Sequence, residues 1–194
     1  LRLGLVGCGD IAAYTSLLSR LIPRLQITAC CDIDSDRAAG FSHRHCIPWD
    51  TTEYERLLEH ETVDAVYLAV PHDLHHSMIL AAVDADKPVL VEKPITRTLE
   101  EARDLLERIG SHKVGVNYQY RYDRGCFQLY HAVRSGSLGR VHSVRINVPW
   151  RRTQAYFDGS PWHASIERAG GGTLITQGSH FLDAVLWALG EAPA

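Results

Sequence analysis

Apolar residues fall into short runs separated by helix-like spacings from the start of the chain. Residues 3–6 form a continuous apolar run, as expected of a strand covered on both faces. Residues 26–31 and 63–70 repeat that pattern, and residues 63–70 are the most apolar of the set. Residues 88–91 and 114–116 read as shorter strands. Between these runs, residues 11–22, 36–43, 52–59, 74–85 and 98–109 have apolar positions spaced for one face of a helix. Pro23 stops the first of these helices, and Ser35 suits the N-cap of the second. Strands alternating with helices over this length predict right-handed βαβ units and a parallel sheet.

After Asn117 the texture changes. Residues 123–135 predict one helix that ends near Gly136. Residues 140–149 alternate in part and are rich in Val and Ile, which predicts a longer strand. Residues 151–172 are polar, aromatic and glycine-rich, and residues 173–189 predict a final helix. The pattern divides the chain into residues 1–118, a parallel α/β domain, and residues 119–194, the opening of a second domain. One strand and two helices cannot bury a core of their own. The second part is therefore expected to belong to a longer protein or to borrow a partner's surface.

The 194 residues carry 20 Lys+Arg against 23 Asp+Glu, a net charge of −3 that gives no electrostatic footprint for nucleic acid. With 45% hydrophobic and 22% charged residues, the composition suits a packed core rather than a disordered chain. No apolar run is long enough to span a bilayer. The first six residues lead straight into a glycine turn and lack the parts of a signal peptide. The absence of an initial Met suggests that the start has been trimmed. Five cysteines, two of them adjacent and none in a C-x-x-C pair, match neither a disulfide framework nor a zinc set. Free thiols and a cytoplasmic location are expected.

The first predicted strand runs into Gly7-Cys8-Gly9-Asp10-Ile11-Ala12, a G-x-G-x-x-A turn that opens a helix. Gly7 permits the tight turn, Gly9 lets a pyrophosphate approach the backbone, and Ala12 allows close helix–strand packing. The N–H groups of the turn and of the first helical residues, Asp10 and Ile11 among them, would face the phosphates. Asp32 ends the second predicted strand, 23 residues after Gly9. A carboxylate there accepts hydrogen bonds from a ribose diol and repels a 2′-phosphate, which favours NAD over NADP. Arg37, five residues on, could soften that preference. Cys8 reads as a small residue tolerated between two glycines.

The fifth predicted strand leads into Glu92-Lys93-Pro94. Ligands bind at the carboxyl ends of parallel strands, so Lys93 would lie near a nicotinamide. Burial can lower a lysine pKa toward the range of proton transfer from an alcohol, and neighbouring strand residues point to opposite faces. On spacing alone, the alternative is a surface Glu-Lys pair before a turn proline.

The chain resembles the glucose–fructose oxidoreductase / inositol dehydrogenase / MocA (Gfo/Idh/MocA) family. Four features in order carry the resemblance: the glycine turn; Ala69-Val70-Pro71-His72-Asp73-Leu74-His75; Glu92-Lys93-Pro94; and Gly170-Gly171-Gly172 leading to His180 and Asp183. The resemblance implies a Rossmann domain followed by an α/β domain with a mostly antiparallel sheet, in a protein well beyond this length. It implies an NAD(P)-dependent oxidoreductase of sugars, polyols or their derivatives, assembled as a homodimer or homotetramer through that sheet. Lys93 matches the proton-relay lysine and His180 the acid/base or substrate-binding histidine. Val70, Pro71 and His75 match the cofactor wall, with His72 where Asn is common; Glu92 and Asn117 belong to the same cofactor side. Gln119 and Arg121 match the polar entry to the second domain.

Thr176 stands where many relatives carry Asp, which weakens a His–Asp proton relay and leaves Lys93 as the better base. At helical spacing Thr176, His180, Asp183 and Trp187 share one stripe. Apart from catalysis, His180 could be a core histidine bonded to Asp183. Arg152, Tyr156 and Trp162 resemble a substrate-binding loop, in which the Arg152 fork could grip an anion and the rings could stack on a sugar; packing under a loop is the other reading of these rings. His163 stands where many relatives carry Arg, which weakens a strongly anionic substrate. His72, His75 and His76 lack the further ligand of a metal site. Other readings are an NAD-dependent glycoside hydrolase, a non-catalytic nicotinamide-binding regulator and an inactive fragment.

Overall fold

The structure is a computed structural model that describes residues 1–190 and divides into two units, Leu1–Asn117 and the residues from Tyr118 on. The first unit runs β1 (Arg2–Val6), α1 (Asp10–Ser19), β2 (Gln26–Cys31), α2 (Ser35–His45), β3 (Trp49–Thr51), α3 (Tyr54–Glu59), β4 (Ala65–Leu68), α4 (His75–Asp84), β5 (Val89–Glu92), α5 (Leu99–Arg108) and β6 (Val114–Asn117). All strand pairs are parallel, in the order β3-β2-β1-β4-β5-β6. This is the doubly wound Rossmann order, with β1 and β4 adjacent where the winding reverses.

Alternate residues of β1, β2 and β4 serve two cores, and β5 contributes to the first of them. Val6, Val66, Leu68, Val89 and Val91 pack on one face with Leu57, Ile79 and Leu105. Leu3, Leu5, Cys30, Ala65 and Tyr67 pack on the other with Ala12 and Phe41. Strands buried on both faces read as continuous apolar runs, which is why their positions were plain from the sequence.

The differences from expectation have local causes. β3 was not foreseen, because three residues are too few to show a period; it exists by pairing with β2 through Ala29↔Trp49 and Cys31↔Thr51. α1 stops at Ser19 rather than at residue 22, and Leu21 and Ile22 lie exposed in the turns before Pro23. The residue before a proline disfavours the helical region, so the helix ends early. The N-cap of α2 is Asp34 rather than Ser35: its carboxylate accepts the Arg37 N–H at 3.0 Å. Asp and Ser cap about equally well, and the acid lies one residue earlier. Thr98 caps α5 by accepting the Glu101 N–H at 3.2 Å.

The second unit is helical among the described residues. A short 3₁₀ turn (Gln119–Tyr122) precedes α6 (Arg124–Arg134), which Asp123 caps through the N–H groups of Gly125 and Cys126 at 2.8 and 3.2 Å. Then come α7 (Gln154–Gly159), a 3₁₀ turn (Pro161–Ala164), α8 (Ile166–Ala169), a π-turn (Leu174–Gly178) and α9 (Ser179–Leu189). Tyr130 of α6 stacks on Trp187 of α9 at 4.1 Å.

Residues 140–149, expected as a strand, pair with no other strand among the described residues, and Val144 and Ile146 are exposed. A strand is defined by a neighbour that exchanges hydrogen bonds with it, and the rest of this unit is helices and turns. The expected antiparallel sheet is therefore not seen here. The final helix is likewise not uniform, because it opens with the π-turn. Among the described residues no helix is long and apolar enough to cross a membrane.

Leu57 is fully buried against β1, and a Cβ on Gly4 would lie 2.7 Å from its Cδ2. Leu57→Ala should destabilise the first unit by about 2–5 kcal/mol. Leu106→Ala, on the exposed side of α5, should change stability little; urea unfolding of the two variants checks this.

Candidate functional site

The turn after β1 is built around Gly7, with φ of 89° and its N–H donated to the Cys31 carbonyl at 2.8 Å. A Cβ at Gly7 would lie 2.3 Å from the Ala69 carbonyl oxygen, so a side chain is excluded both by conformation and by β4's continuation. Gly9, the N-cap of α1, has nothing within 4 Å of its Cβ position. The backbone beside Gly9 is thus open at the N-terminus of a ten-residue helix, as a pyrophosphate cradle requires. Asp10 and Ile11 form the first turn of that helix with exposed side chains, leaving their backbone to face a phosphate. Ala12 is fully buried against the strands.

Asp32 follows β2 and is only 7% exposed. Its Oδ2 accepts the Cys8 N–H at 2.9 Å, and its Oδ1 accepts the Asp34 N–H at 3.0 Å and Arg37 Nη1 at 3.3 Å. The carboxylate therefore ties the glycine turn to the end of β2. A carboxylate offers about four acceptor positions, so one remains for a ribose hydroxyl. Arg37 bridges Asp32 and Asp34 with a half-exposed side chain. Cys8 is buried, and its thiol pKa is raised by a hydrogen bond with Cys30 and by burial. That leaves it a packing residue. All five cysteines are free.

The second wall comes from the segments after β4 and β5. Val70 and Pro71 lead into a 3₁₀ turn (His72–Leu74) and α4. His75, fully buried, places Nδ1 at 2.7 Å from the Pro94 carbonyl and Nε2 at 3.0 Å from the Val70 carbonyl. One ring thereby clamps the loop after β4 to the E-K-P loop. Burial lowers the pKa of this ring against the opposing pull of the two carbonyls. The neutral ring donates to one carbonyl at a time. His72 is also buried, with its ring 5.5 Å from that of His75.

Glu92 ends β5 and Lys93 follows it. Glu92 Oε1 accepts from Asn117 Nδ2 at 2.7 Å and from the Tyr67 hydroxyl, and Asn117 Nδ2 also reaches that hydroxyl at 3.3 Å. Glu92 and Asn117 are register partners across β5 and β6. The Tyr67 hydroxyl is pushed up in pKa by burial and by the adjacent carboxylate, so it stays a donor. Glu92 is thus held by a buried tyrosine. Tyr67 was invisible as a site residue because a tyrosine inside an apolar strand reads as core. Lys93 is half-buried and precedes Pro94 through a cis peptide bond.

In the second unit His180 is buried, edge-on to Tyr120 at 5.1 Å and to Tyr118 at 6.0 Å. Asp183 accepts from Arg121 Nε and Nη2 at 2.7 and 2.6 Å. The expected stripe therefore breaks up in function: Asp183 fastens the 3₁₀ turn to α9, and Trp187 packs on α6. Thr176 lies in the π-turn, where its hydroxyl donates to the Gly172 carbonyl at 3.1 Å. Arg152 and Tyr156 line a cavity of about 290 Å³ with Thr176, and also with Gln177, which the sequence reading did not single out. Trp162 lies tilted against His163, with ring centroids 3.7 Å apart, and is not part of that lining. Among the described residues no group of three or more His, Cys, Asp or Glu could hold a metal ion.

Residues 1–120 match the sequence model of the oxidoreductase family with an NAD-binding Rossmann fold (GFO_IDH_MocA). Residues 127–194 match the GFO/IDH/MocA C-terminal domain. The chain belongs to the Gfo/Idh/MocA family. This Gfo/Idh/MocA chain is 28% identical over 199 residues to 1,5-anhydro-D-fructose reductase of Ensifer adhaerens, covering 100% of the chain and 58% of that protein. It is 30% identical over 205 residues to inositol 2-dehydrogenase 2 of Saccharopolyspora erythraea, covering 98% and 54%. Among solved structures it is similar to the WlbA dehydrogenase of Bordetella pertussis in complex with NADH and UDP-GlcNAcA, with a TM-score of 0.90 and 27% identity over 98% of this chain and 55% of that one. The chain spans about half the length of the curated relatives it matches.

His75 predicts a pH dependence. Its folded pKa lies below the ordinary 6.5, so below about pH 6.5 the unfolded chain takes up a proton that the fold resists. Stability should fall as the pH drops below that value and should be insensitive to His75 above it. His75→Gln, compared with the parent by thermal unfolding at pH 5 to 8, should remove this component of the acid slope.

Proposed function

We propose that this chain carries the cofactor-binding unit and the beginning of the substrate unit of an NAD-dependent oxidoreductase acting on a CH–OH group of a sugar, polyol or sugar derivative. The observation that carries the reading is one row of strand ends. Gly7 follows β1, buried Asp32 follows β2, and Lys93 follows β5, all at the carboxyl edge of a single parallel sheet. The sugar and polyol class is supported by the relatives' own names, anhydrofructose reductase and inositol 2-dehydrogenase.

A bound nicotinamide dinucleotide supplies reversible hydride transfer, and the protein supplies position and charge. Gly7, Gly9, Asp10 and Ile11 offer backbone to the pyrophosphate, and Asp32 accepts from the adenosine ribose. Its charge, closed in by two backbone N–H groups, disfavours a 2′-phosphate, so NAD is the cofactor ahead of NADP. Arg37 is the residue through which some NADP tolerance would enter. Val70, Pro71 and His75 hold the second wall, and Asn117 with Tyr67 keeps Glu92 in place. Lys93 Nζ takes or returns the proton of the reacting hydroxyl. His180 binds or polarises a substrate hydroxyl, while Arg152, Tyr156, Trp162 and Thr176 belong to the substrate side. Assembly as a homodimer or homotetramer and a cytoplasmic location, to which the free thiols are suited, belong to the same reading.

Calorimetric titration should show NAD⁺ binding more tightly than NADP⁺. Asp32→Asn keeps an acceptor for the Cys8 N–H while removing the charge, and should weaken NAD⁺ by about tenfold or more. Lys93→Met should lower turnover in a sugar and polyol screen by on the order of 10²-fold or more with NAD⁺ affinity nearly unchanged. No binding of either nucleotide, or unchanged turnover in Lys93→Met, overturns the reading.

A further inference from the structure

The cavity of about 290 Å³ in the second unit is made entirely by residues of that unit. It lies at the small end of ligand sites, which run from about 300 Å³ upward, and is a size for one sugar ring rather than for a long chain. Three features of its lining specify chemistry.

The first is Arg152. Its guanidinium carbon lies 4.8 Å from the centroid of the Tyr156 ring and 5.5 Å from that of Trp150. Stacking on aromatic faces fixes the plane of the guanidinium and leaves its N–H edge directed outward. Among the described residues no carboxylate forms an ion pair with it. A cation held in one plane without an acid partner is arranged for a carboxylate or phosphate oxyanion from outside the chain.

The second is Gln177. It is 7% exposed, lines the cavity, and its Oε1 has no hydrogen-bond partner among the described residues. A buried amide oxygen without a donor is costly, and a ligand hydroxyl would satisfy it. The third is Phe157, an aromatic ring in the lining of the kind that suits the C–H face of a sugar, while Tyr156 is engaged by Arg152 and His163.

We infer that this cavity binds a single hydroxylated ring bearing an oxyanion, with the anion on Arg152 and a ring hydroxyl donating to Gln177. The inference rests on the oxidoreductase reading and narrows its substrate class from sugars in general to sugar acids or sugar phosphates. Among the described residues Arg152 is the one arginine or lysine in this lining, so one anionic group is matched rather than two.

The test uses the NAD⁺-saturated protein, titrated with glucuronate, glucose 6-phosphate and glucose and followed by calorimetry and tryptophan fluorescence. At least one of the two anionic sugars should bind about tenfold or more tightly than glucose, and which one it is separates carboxylate from phosphate. Arg152→Met keeps the aliphatic stem and should bring the anionic and neutral sugars to within about twofold of each other. Gln177→Met should weaken charged and neutral sugars alike by about threefold or more, without lowering the thermal midpoint, because it removes an unsatisfied buried acceptor. Equal binding of glucose and both anionic sugars, or an anion preference that survives Arg152→Met, overturns the inference. If NAD⁺ binds and a neutral sugar turns over without any anion preference, the oxidoreductase reading stands and this inference alone falls. Failure to bind NAD⁺ overturns both.

Discussion

A parallel sheet with helices on both faces leaves its central strands almost no wet surface. In this chain β1, β2 and β4 are buried along nearly their whole length, so polar groups can gather only where the strands end. Because every strand runs the same way, the carboxyl ends form one row. The first unit's chemistry depends on that constraint. Gly7 and Asp32, which follow β1 and β2, and Glu92, which ends β5, are far apart in sequence, yet each is the first polar or turning position at the end of an apolar strand. The winding reversal between β1 and β4 then opens the crevice that the helices on either side would otherwise close.

The polar groups at this row are engaged with one another before any ligand arrives. Asp32 accepts two backbone N–H groups and so holds the glycine turn in shape. His75 bridges two loop carbonyls 24 residues apart. Glu92 is occupied by Tyr67 and Asn117. Such links are the reverse of a loose site: each buried charge or ring is stabilised by partners that also set the geometry a cofactor would meet. Residues that look purely like ligand contacts in a motif are here also structural, and substitutions that remove them disturb both roles.

The second unit is organised differently. It has no sheet among the described residues to impose a direction, and its helices are held by aromatic stacking and one bidentate ion pair. Tyr130 on Trp187 joins α6 to α9, and Arg121 on Asp183 joins the entry turn to α9. The π-turn ahead of α9 sets Thr176 and Gln177 at the cavity and His180 among tyrosines. Five residues spent in a wider turn offset Thr176 from the helix that follows, so the helical spacing holds for His180, Asp183 and Trp187 within α9 and not for Thr176.

Much of the first unit was legible in the amino-acid sequence because its signals are local. Strands buried on both faces are continuous apolar runs, the glycine turn is a covalent pattern, and a proline ends a helix wherever it stands. The G-x-G-x-x-A turn, Asp32, and Lys93 after β5 followed from those signals. The three-residue β3 did not, since it exists only by pairing with β2. Nor did the strand expected at residues 140–149, which needs a neighbour to pair with. Partner choice was equally hidden: nothing in spacing says that Asp32 takes the Cys8 N–H, that Tyr67 holds Glu92, that Arg121 pairs with Asp183, or that Gln177 reaches a cavity. The sequence by itself determined which segments must be buried and where the chain must turn, because those depend on each residue's own polarity and backbone freedom. Only the tertiary structure decided which polar atoms meet, because a hydrogen bond depends on two positions that the chain brings together from a distance.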